Sequence, residues 1–70
     1  RDPRDAQALS DRDRMVLTLL CDGMTNKEIA EGLCIAETTA RGHVQSIMRK
    51  LNVKDRTAAA VEGIRRHWVD

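Results

Sequence analysis

One stretch near the middle of the chain, residues 36–51, constrains the fold more than any other. Its apolar side chains recur at intervals of three and four residues, which is the spacing of one face of an α-helix. They are Ala40, Val44, Ile47, Met48 and Leu51. The polar side chains between them fall on a different face, which carries basic and hydrogen-bonding groups and almost no acid. We therefore predict an amphipathic helix whose apolar side packs against a core and whose polar side is available to a binding partner.

The core around this helix must be built from aliphatic side chains. The chain has 70 residues, no Phe or Tyr, and one aromatic residue, Trp68, which we expect to close the last helix over the core or, alternatively, to join a dimer contact. Strand-favouring residues are scarce, so packed helices are favoured over a sheet. We predict an all-α, compact four-helix domain over residues 9–69. Residues 1–8, which are polar and hold the only proline, are interpreted as a linker remnant.

Capping residues mark the ends of the predicted helices. Two stretches have the spacing of a capping box, in which side chain and main chain bond each other at a helix start: Ser10 to Asp13 and Thr25 to Glu28. Residues that tolerate a left-handed helix end follow the first and third helices: Gly23 and Asn52. Asp55 can cap the fourth helix. Ala36, ahead of the third, offers no capping side chain.

Charge is unevenly distributed along a chain whose net charge is only +1. Residues 1–40 hold five basic and eight acidic side chains, a net charge of −3, whereas residues 41–56 hold five basic and one acidic, a net charge of +4. A basic segment beside an acidic body is the pattern expected of a surface that faces phosphates. The same pattern also fits a solvated helix face, so charge alone does not decide between them.

Other classes of protein find little support in the residues. Cys21 and Cys34 are too far apart for a chelating pair, and we expect small buried thiols rather than a disulfide. The histidines, cysteines and carboxylates show no nucleophile–base spacing, and there is no glycine-rich phosphate loop. No apolar run reaches membrane-spanning length. We therefore predict no enzymatic activity, no cofactor, no metal site and a cytoplasmic location.

Four blocks of the chain form a linked pattern: residues 9–13 (LSDRD), 23–30 (GMTNKEIA), 39–44 (TARGHV) and 49–53 (RKLNV). In this order and spacing they resemble the C-terminal helix-turn-helix domain of LuxR/NarL/FixJ-type bacterial transcription regulators. The resemblance extends from residue 9 to about residue 69. It implies a double-stranded DNA-binding output domain, in a response regulator of a two-component system. The second helix would brace, the third would enter the major groove, and the fourth would form a dimer contact.

The resemblance also implies roles for individual residues. Three positions would face the bases: Arg41, Gly42 and Gln45. Six would lie near DNA phosphates: Lys27, Thr38, Thr39, His43, Arg49 and Lys50. Three would lie on the pairing helix: Val61, Glu62 and Arg65. The implied partners are double-stranded DNA, a second copy of the chain and RNA polymerase, with no membrane.

The chemistry of several of these side chains agrees with their implied roles. Arg41 can bond O6 and N7 of guanine, and Gln45 can bond N6 and N7 of adenine. Thr38 lies in the predicted first turn of the third helix, where free main-chain N–H groups favour a phosphate. Gly42 departs from the larger residue usual in the family, so base reading at this position would come from close main-chain approach or would be absent. His43 could instead contribute to local packing.

Two other functions fit parts of the sequence. The promoter-reading region of a sigma factor shares the Leu-Ser-x-Arg and Lys-Glu-Ile-Ala patterns, although a fourth helix after Asn52 argues against it. A helical protein-interaction module without DNA would require the basic segment to be incidental. Affinity for duplex DNA that falls with added salt would separate the DNA-binding interpretation from the latter.

Overall fold

The computed structural model describes residues 9–66, which form four α-helices: α1 (Asp11–Cys21), α2 (Asn26–Leu33), α3 (Glu37–Leu51) and α4 (Arg56–Arg65). Residues 9–66 contain no strand. The prediction of a four-helix, all-α fold is therefore confirmed. The predicted linker over residues 1–8 and the predicted packing of Trp68 lie outside the described residues.

The helices begin where the capping residues predicted them to begin. Both capping boxes are present: the Ser10 hydroxyl accepts a hydrogen bond from the Asp13 N–H at 3.0 Å, and the Thr25 hydroxyl accepts one from the Glu28 N–H at 3.2 Å. Asp55 accepts a bond from the Ala58 N–H at 2.8 Å and caps α4. The exception is α3, which starts after Ala36 with no side-chain hydrogen bond to its first turn.

Three residues between helices take the left-handed conformation. Gly23 (φ 82) lies between α1 and α2, and Asn52 (φ 58) ends α3, as predicted. Cys34 (φ 58) ends α2, where this conformation carries a penalty of about 1–2 kcal/mol for a residue with a side chain. The expectation of two buried thiols is wrong for Cys34, which is exposed, while Cys21 is partly buried.

The core is an aliphatic cluster to which all four helices contribute. Its buried members are Leu9, Val16, Leu17, Leu20, Ile29, Ala30, Ala40, Val44, Ile47, Leu51 and Ala59. Four of the five apolar positions predicted for the third helix are among them, and the fifth, Met48, is partly buried at the edge. The periodicity of residues 36–51 therefore identified the buried side of α3 correctly.

The approach of α4 to α1 depends on a glycine. A Cβ atom added at Gly63 would lie 2.9 Å from Cδ2 of Leu17, closer than real Cβ contacts occur. One helical turn earlier, the Cys21 thiol donates to the carbonyl oxygen of Ala60 at 3.6 Å. Gly63 is buried, so α4 lies against the centre of α1 and its opposite side faces outward.

Candidate nucleic-acid interface

The outward side of α3 carries the residues predicted to read bases. Arg41, Gly42 and Gln45 are all exposed, whereas Val44 and Ile47 of the same helix are buried. At about 100° per residue, the Arg41 and Gln45 side chains leave the helix axis only about 40° apart. The fold therefore presents a guanidinium and a carboxamide on one side of an exposed helix.

The surface at Gly42 is open. Apart from its chain neighbours and the main chain of its own helix, a Cβ atom added there would have no atom within 4 Å. No packing constraint therefore explains a glycine at this position of α3. Its absence of a side chain leaves the main chain of α3 accessible to a close partner between Arg41 and Gln45.

A depression lies beside these side chains, between α3 and the starts of α2 and α4. It has a volume of about 410 Å³, and its lining includes Asn26, Arg41, Gln45, Lys54 and Arg56. The guanidinium of Arg56 donates to the Asn26 carboxamide oxygen at 3.1 Å and to the Met24 carbonyl oxygen at 2.5 Å. Arg56 thus holds the first turns of α2 and α4 together.

Sequence reasoning did not assign Lys54 or Asn26 to the site. Lys54 belongs to the basic segment 41–56, but it lies in the turn between α3 and α4, away from the periodic positions of either helix. Asn26 is separated from Arg41 by fifteen positions and lines the same depression. Only the packing of α2 against α3 brings the two together.

Four of the predicted phosphate-binding residues are exposed near the ends of helices. Lys27 lies in the first turn of α2, Thr38 and Thr39 lie in the first turn of α3, and Arg49 lies in its last turn. Since Ala36 makes no side-chain bond to the first turn of α3, the N–H groups of that turn lack a side-chain acceptor. Such a helix start favours an anion.

The other two, His43 and Lys50, have a partner within the protein. His43 Nδ1 lies 3.2 Å from Oδ1 of Asp13, and Lys50 Nζ donates to Oδ2 of Asp13 at 2.8 Å. Asp13 is only 3% exposed and also accepts a long hydrogen bond, 3.4 Å, from the Ser10 N–H. Sequence reasoning interpreted Asp13 only as a capping residue, because its partners on α3 are 30 and 37 positions away.

The ionisation of Asp13 follows from these contacts. Burial raises the pKa of its carboxyl group, but hydrogen bonds from Lys50, His43 and the Ser10 main chain, with the positive charge of Lys50, outweigh it and lower the pKa below its ordinary value. Asp13 is therefore a buried carboxylate. Two groups predicted to meet phosphates bond this carboxylate in the protein.

The contacts with Asp13 do not use every donor of His43 and Lys50. Their side chains remain 29% and 35% exposed. An ammonium group has three N–H donors and an imidazole has two nitrogens, so each side chain keeps bonding capacity beyond its bond to Asp13. The role of His43 and Lys50 towards phosphates stays a prediction. The contact of His43 with Asp13 is an example of the alternative role, local packing.

The outer side of α4 carries the residues predicted for pairing. Val61 is 52% exposed and Ile64 is 58% exposed, so this side of α4 presents two aliphatic side chains to solvent. Glu62 accepts hydrogen bonds from Arg65 at 2.8 Å and from Arg66 at 2.9 Å. The surface is thus a small apolar area beside ion-paired side chains.

Comparison with known proteins assigns the chain to a family. The model of the family described as bacterial regulatory proteins, luxR family, matches residues 7–62. The chain belongs to the luxR family of bacterial regulatory proteins. The family resemblance seen in the four sequence blocks is thereby confirmed.

Individual luxR-family members and a solved structure are also similar. The chain is 48% identical over 61 residues to the transcriptional regulatory protein DegU of Brevibacillus brevis, covering 87% of this chain and 26% of that protein. It is 44% identical over 64 residues to the transcriptional regulatory protein LiaR of Bacillus subtilis, covering 91% of this chain and 30% of that protein. The structure of the transcription factor GerE matches with a TM-score of 0.82 and 32% identity, over 90% of this chain and 94% of that chain.

These similarities identify the class of the luxR-family domain. It is a DNA-binding helix-turn-helix domain of the type found in response-regulator transcription factors. The chain spans about a quarter to a third of the length of the curated relatives it matches. Family membership favours the regulator interpretation over the sigma-factor alternative. Within residues 9–66 no helix is long and apolar enough to cross a membrane.

Proposed function

We propose that the chain binds double-stranded DNA sequence-specifically as the output domain of a cytoplasmic bacterial response regulator, with α3 in the major groove. The observation that carries the proposal is the arrangement of α3. Its buried side is fixed to the core through Val44 and Ile47, and its exposed side presents Arg41 and Gln45 together. A major groove about 12 Å wide admits one helix in this orientation.

Base reading would depend on Arg41 and Gln45. Each can form two hydrogen bonds to one purine, Arg41 to guanine and Gln45 to adenine. Because the two side chains are one helical turn apart, they would reach neighbouring base pairs. Gly42 would contribute by letting the main chain of α3 approach the bases closely.

Contacts with phosphates would position α3 in the groove. Lys27, Thr38 and Thr39 lie at helix starts, where side chains and main-chain N–H groups can both bond a phosphate. Arg49 is exposed at the other end of α3, and His43 and Lys50 would use the donors that Asp13 leaves free. Such contacts supply affinity without sequence preference.

Pairing of two copies would occur through α4. Val61 and Ile64 give this helix an exposed apolar side, and Glu62 and Arg65 supply polar contacts at its edge. One small domain has a limited footprint, so two linked domains on a two-fold related site would bind much more tightly. Regulation of transcription would then follow from contact between the bound dimer and RNA polymerase.

Binding to duplexes selected by the protein from a random pool tests the base-reading proposal. Arg41→Ala should weaken binding by about 1–3 kcal/mol and relax the preference at one base pair, with Gln45→Ala acting similarly at a neighbouring pair. Arg12→Ala is the control, because Arg12 is an exposed cation of α1 outside the proposed contacts. Affinity that does not fall with salt, or unchanged preference in both variants, would contradict the proposal.

A second measurement tests pairing through α4. Val61→Asp should reduce cooperative binding to a duplex with two half-sites while leaving binding to a single half-site intact. Met15→Asp is a matched control, since Met15 is an apolar side chain of α1 with a similar exposure, 49% against 52% for Val61. Equal cooperativity in the protein and in Val61→Asp would show that α4 is not the interface.

A further inference from the structure

We infer that Asp13 is a positioning residue for DNA recognition: its buried carboxylate fixes the rotation of α3 and so directs Arg41 and Gln45 at the bases. The inference rests on the proposed base-reading function of α3. It gives the start of α1 a role in sequence preference, although Asp13 itself would touch no DNA.

The contacts join α1 to α3 at two points. Oδ1 of Asp13 faces His43 at 3.2 Å, and Oδ2 accepts from Lys50 at 2.8 Å. His43 and Lys50 are seven residues apart, so they lie on the same side of α3 and two helical turns from each other. A single carboxylate thus holds α3 along a length of about 10 Å.

The side of α3 that Asp13 holds lies far around the helix from the proposed reading side. On a helical projection, His43 and Lys50 are both about 140–180° from Arg41 and Gln45. A rotation of α3 about its axis would therefore break the contacts with Asp13 and misdirect the reading side chains at the same time. Conversely, holding His43 and Lys50 in place fixes the direction of Arg41 and Gln45.

The buried apolar side of α3 restricts its rotation, because Val44 and Ile47 must stay in the core. Hydrophobic attraction has no preferred direction. Hydrogen bonds to an ionised carboxylate are directional, and the one from Lys50 is short at 2.8 Å, so the contacts with Asp13 define the rotation more finely within the range that the buried side allows.

The test compares specific with non-specific affinity in the chain itself. Each variant is titrated with a duplex selected by the unaltered protein and with a scrambled duplex of the same composition, at a temperature where circular dichroism shows that it is folded. Asp13→Asn should lower the ratio of the two affinities about tenfold or more, a change comparable to the loss of one bidentate base contact. Non-specific affinity should stay the same or rise, because a negative charge is removed.

Asp11→Asn is the matched control. Asp11 lies in the same first turn of α1, carries the same charge and is exposed, so this variant removes the charge but no contact with α3. The ratio should remain at its original value in Asp11→Asn. A ratio that falls equally in both variants would show that charge near the DNA, rather than the orientation of α3, is responsible.

Lys50→Gln provides a second variant that keeps the cap of α1 and decides the matter if Asp13→Asn does not fold. If Lys50 works through Asp13, its loss should lower the affinity ratio as well, and the double variant should do little more than the larger single change. If Lys50→Gln lowered the affinities for the selected and the scrambled duplex equally, Lys50 would act only as a phosphate contact, and the inference would be overturned. An unaltered protein without preference for its selected duplex would instead overturn the proposed function, and the inference with it.

Discussion

The two capping boxes of this domain have the same spacing and the same local bonds, yet their acidic side chains differ in burial and in the helices that they contact. At the start of α2, Glu28 is exposed and its carboxylate bonds only the N–H of its own cap, Thr25, at 2.9 Å. At the start of α1, Asp13 is 3% exposed and its carboxylate also bonds His43 and Lys50 of α3. One acid completes a helix start, whereas the other joins two helices.

The pKa values of the two carboxyl groups reflect this difference. Hydrogen bonds from the Thr25 main chain and side chain lower the pKa of Glu28, with only a small opposing effect of burial. For Asp13, burial is the largest effect and raises the pKa, and bonds from α3 are needed to reverse it. The carboxylate of Asp13 therefore depends on α3 for its charge, and α3 depends on Asp13 for two of its polar contacts.

The largest expected effect is on stability. Asp13→Ala removes the carboxylate that accepts from Lys50 and faces His43, and hydrogen bonds to charged groups contribute about 1.5–3 kcal/mol. We expect a loss of that size in the free energy of unfolding, measured by urea denaturation. Glu28→Ala should cost clearly less, since only the local cap is lost. Equal losses would show that the contacts with α3 add nothing to the box.

The dependence of stability on pH distinguishes the contribution of the charge of Asp13 from the contribution of its packing. Because the folded-state pKa of Asp13 is lowered, its contribution is present above its unfolded pKa, near 3.8, and is lost as pH falls through the folded value. The protein should therefore lose stability more steeply than Asp13→Asn as pH falls below about 4. If the free energy of unfolding fell equally in the two proteins between neutral pH and pH 3, Asp13 would not be ionised in the folded protein.

The two boxes also show which parts of this structure sequence can predict. The bonds within each box, the left-handed Asn52 and the buried side of α3 depend on residues within one or two helical turns, and all were predicted. The bond from Lys50 to Asp13, the contact of Gly63 with Leu17 and the exposure of Cys34 depend on how whole helices pack. No local pattern distinguishes a cap acid that will be buried from one that will not.

The same division applies to the candidate site. Arg41, Gly42 and Gln45 were assigned through the resemblance, and the structure places all three on the exposed side of α3. The depression that joins Asn26, Lys54 and Arg56 to Arg41 and Gln45 was not predicted, because it is formed by α3 together with the starts of two other helices. Side chains on one helix follow from periodicity, whereas a surface built from several helices does not.

The hydroxyl groups of the two capping boxes should contribute about equally to stability, and each contribution should be smaller than that of Asp13. Ser10→Ala and Thr25→Ala each remove the hydroxyl that accepts the N–H of the third helical residue, and such a loss typically costs about 1 kcal/mol. We expect similar losses in the free energy of unfolding for both, since the hydroxyl bond is local in each box. A much larger loss in Ser10→Ala would mean that the hydroxyl, rather than the carboxylate, maintains the contact between α1 and α3.

The smallest expected effect concerns the helix start that has no box. Ala36 precedes α3 in an extended conformation (φ −70, ψ 149) suited to a capping residue, but it supplies no side-chain bond. Ala36→Ser should therefore stabilise the domain by about 0.5–1 kcal/mol in urea denaturation. The added hydroxyl would also compete for N–H groups that we propose face a phosphate, so DNA affinity should fall. A stabilised variant with unchanged DNA affinity would show that the first turn of α3 does not bind phosphate through its main chain.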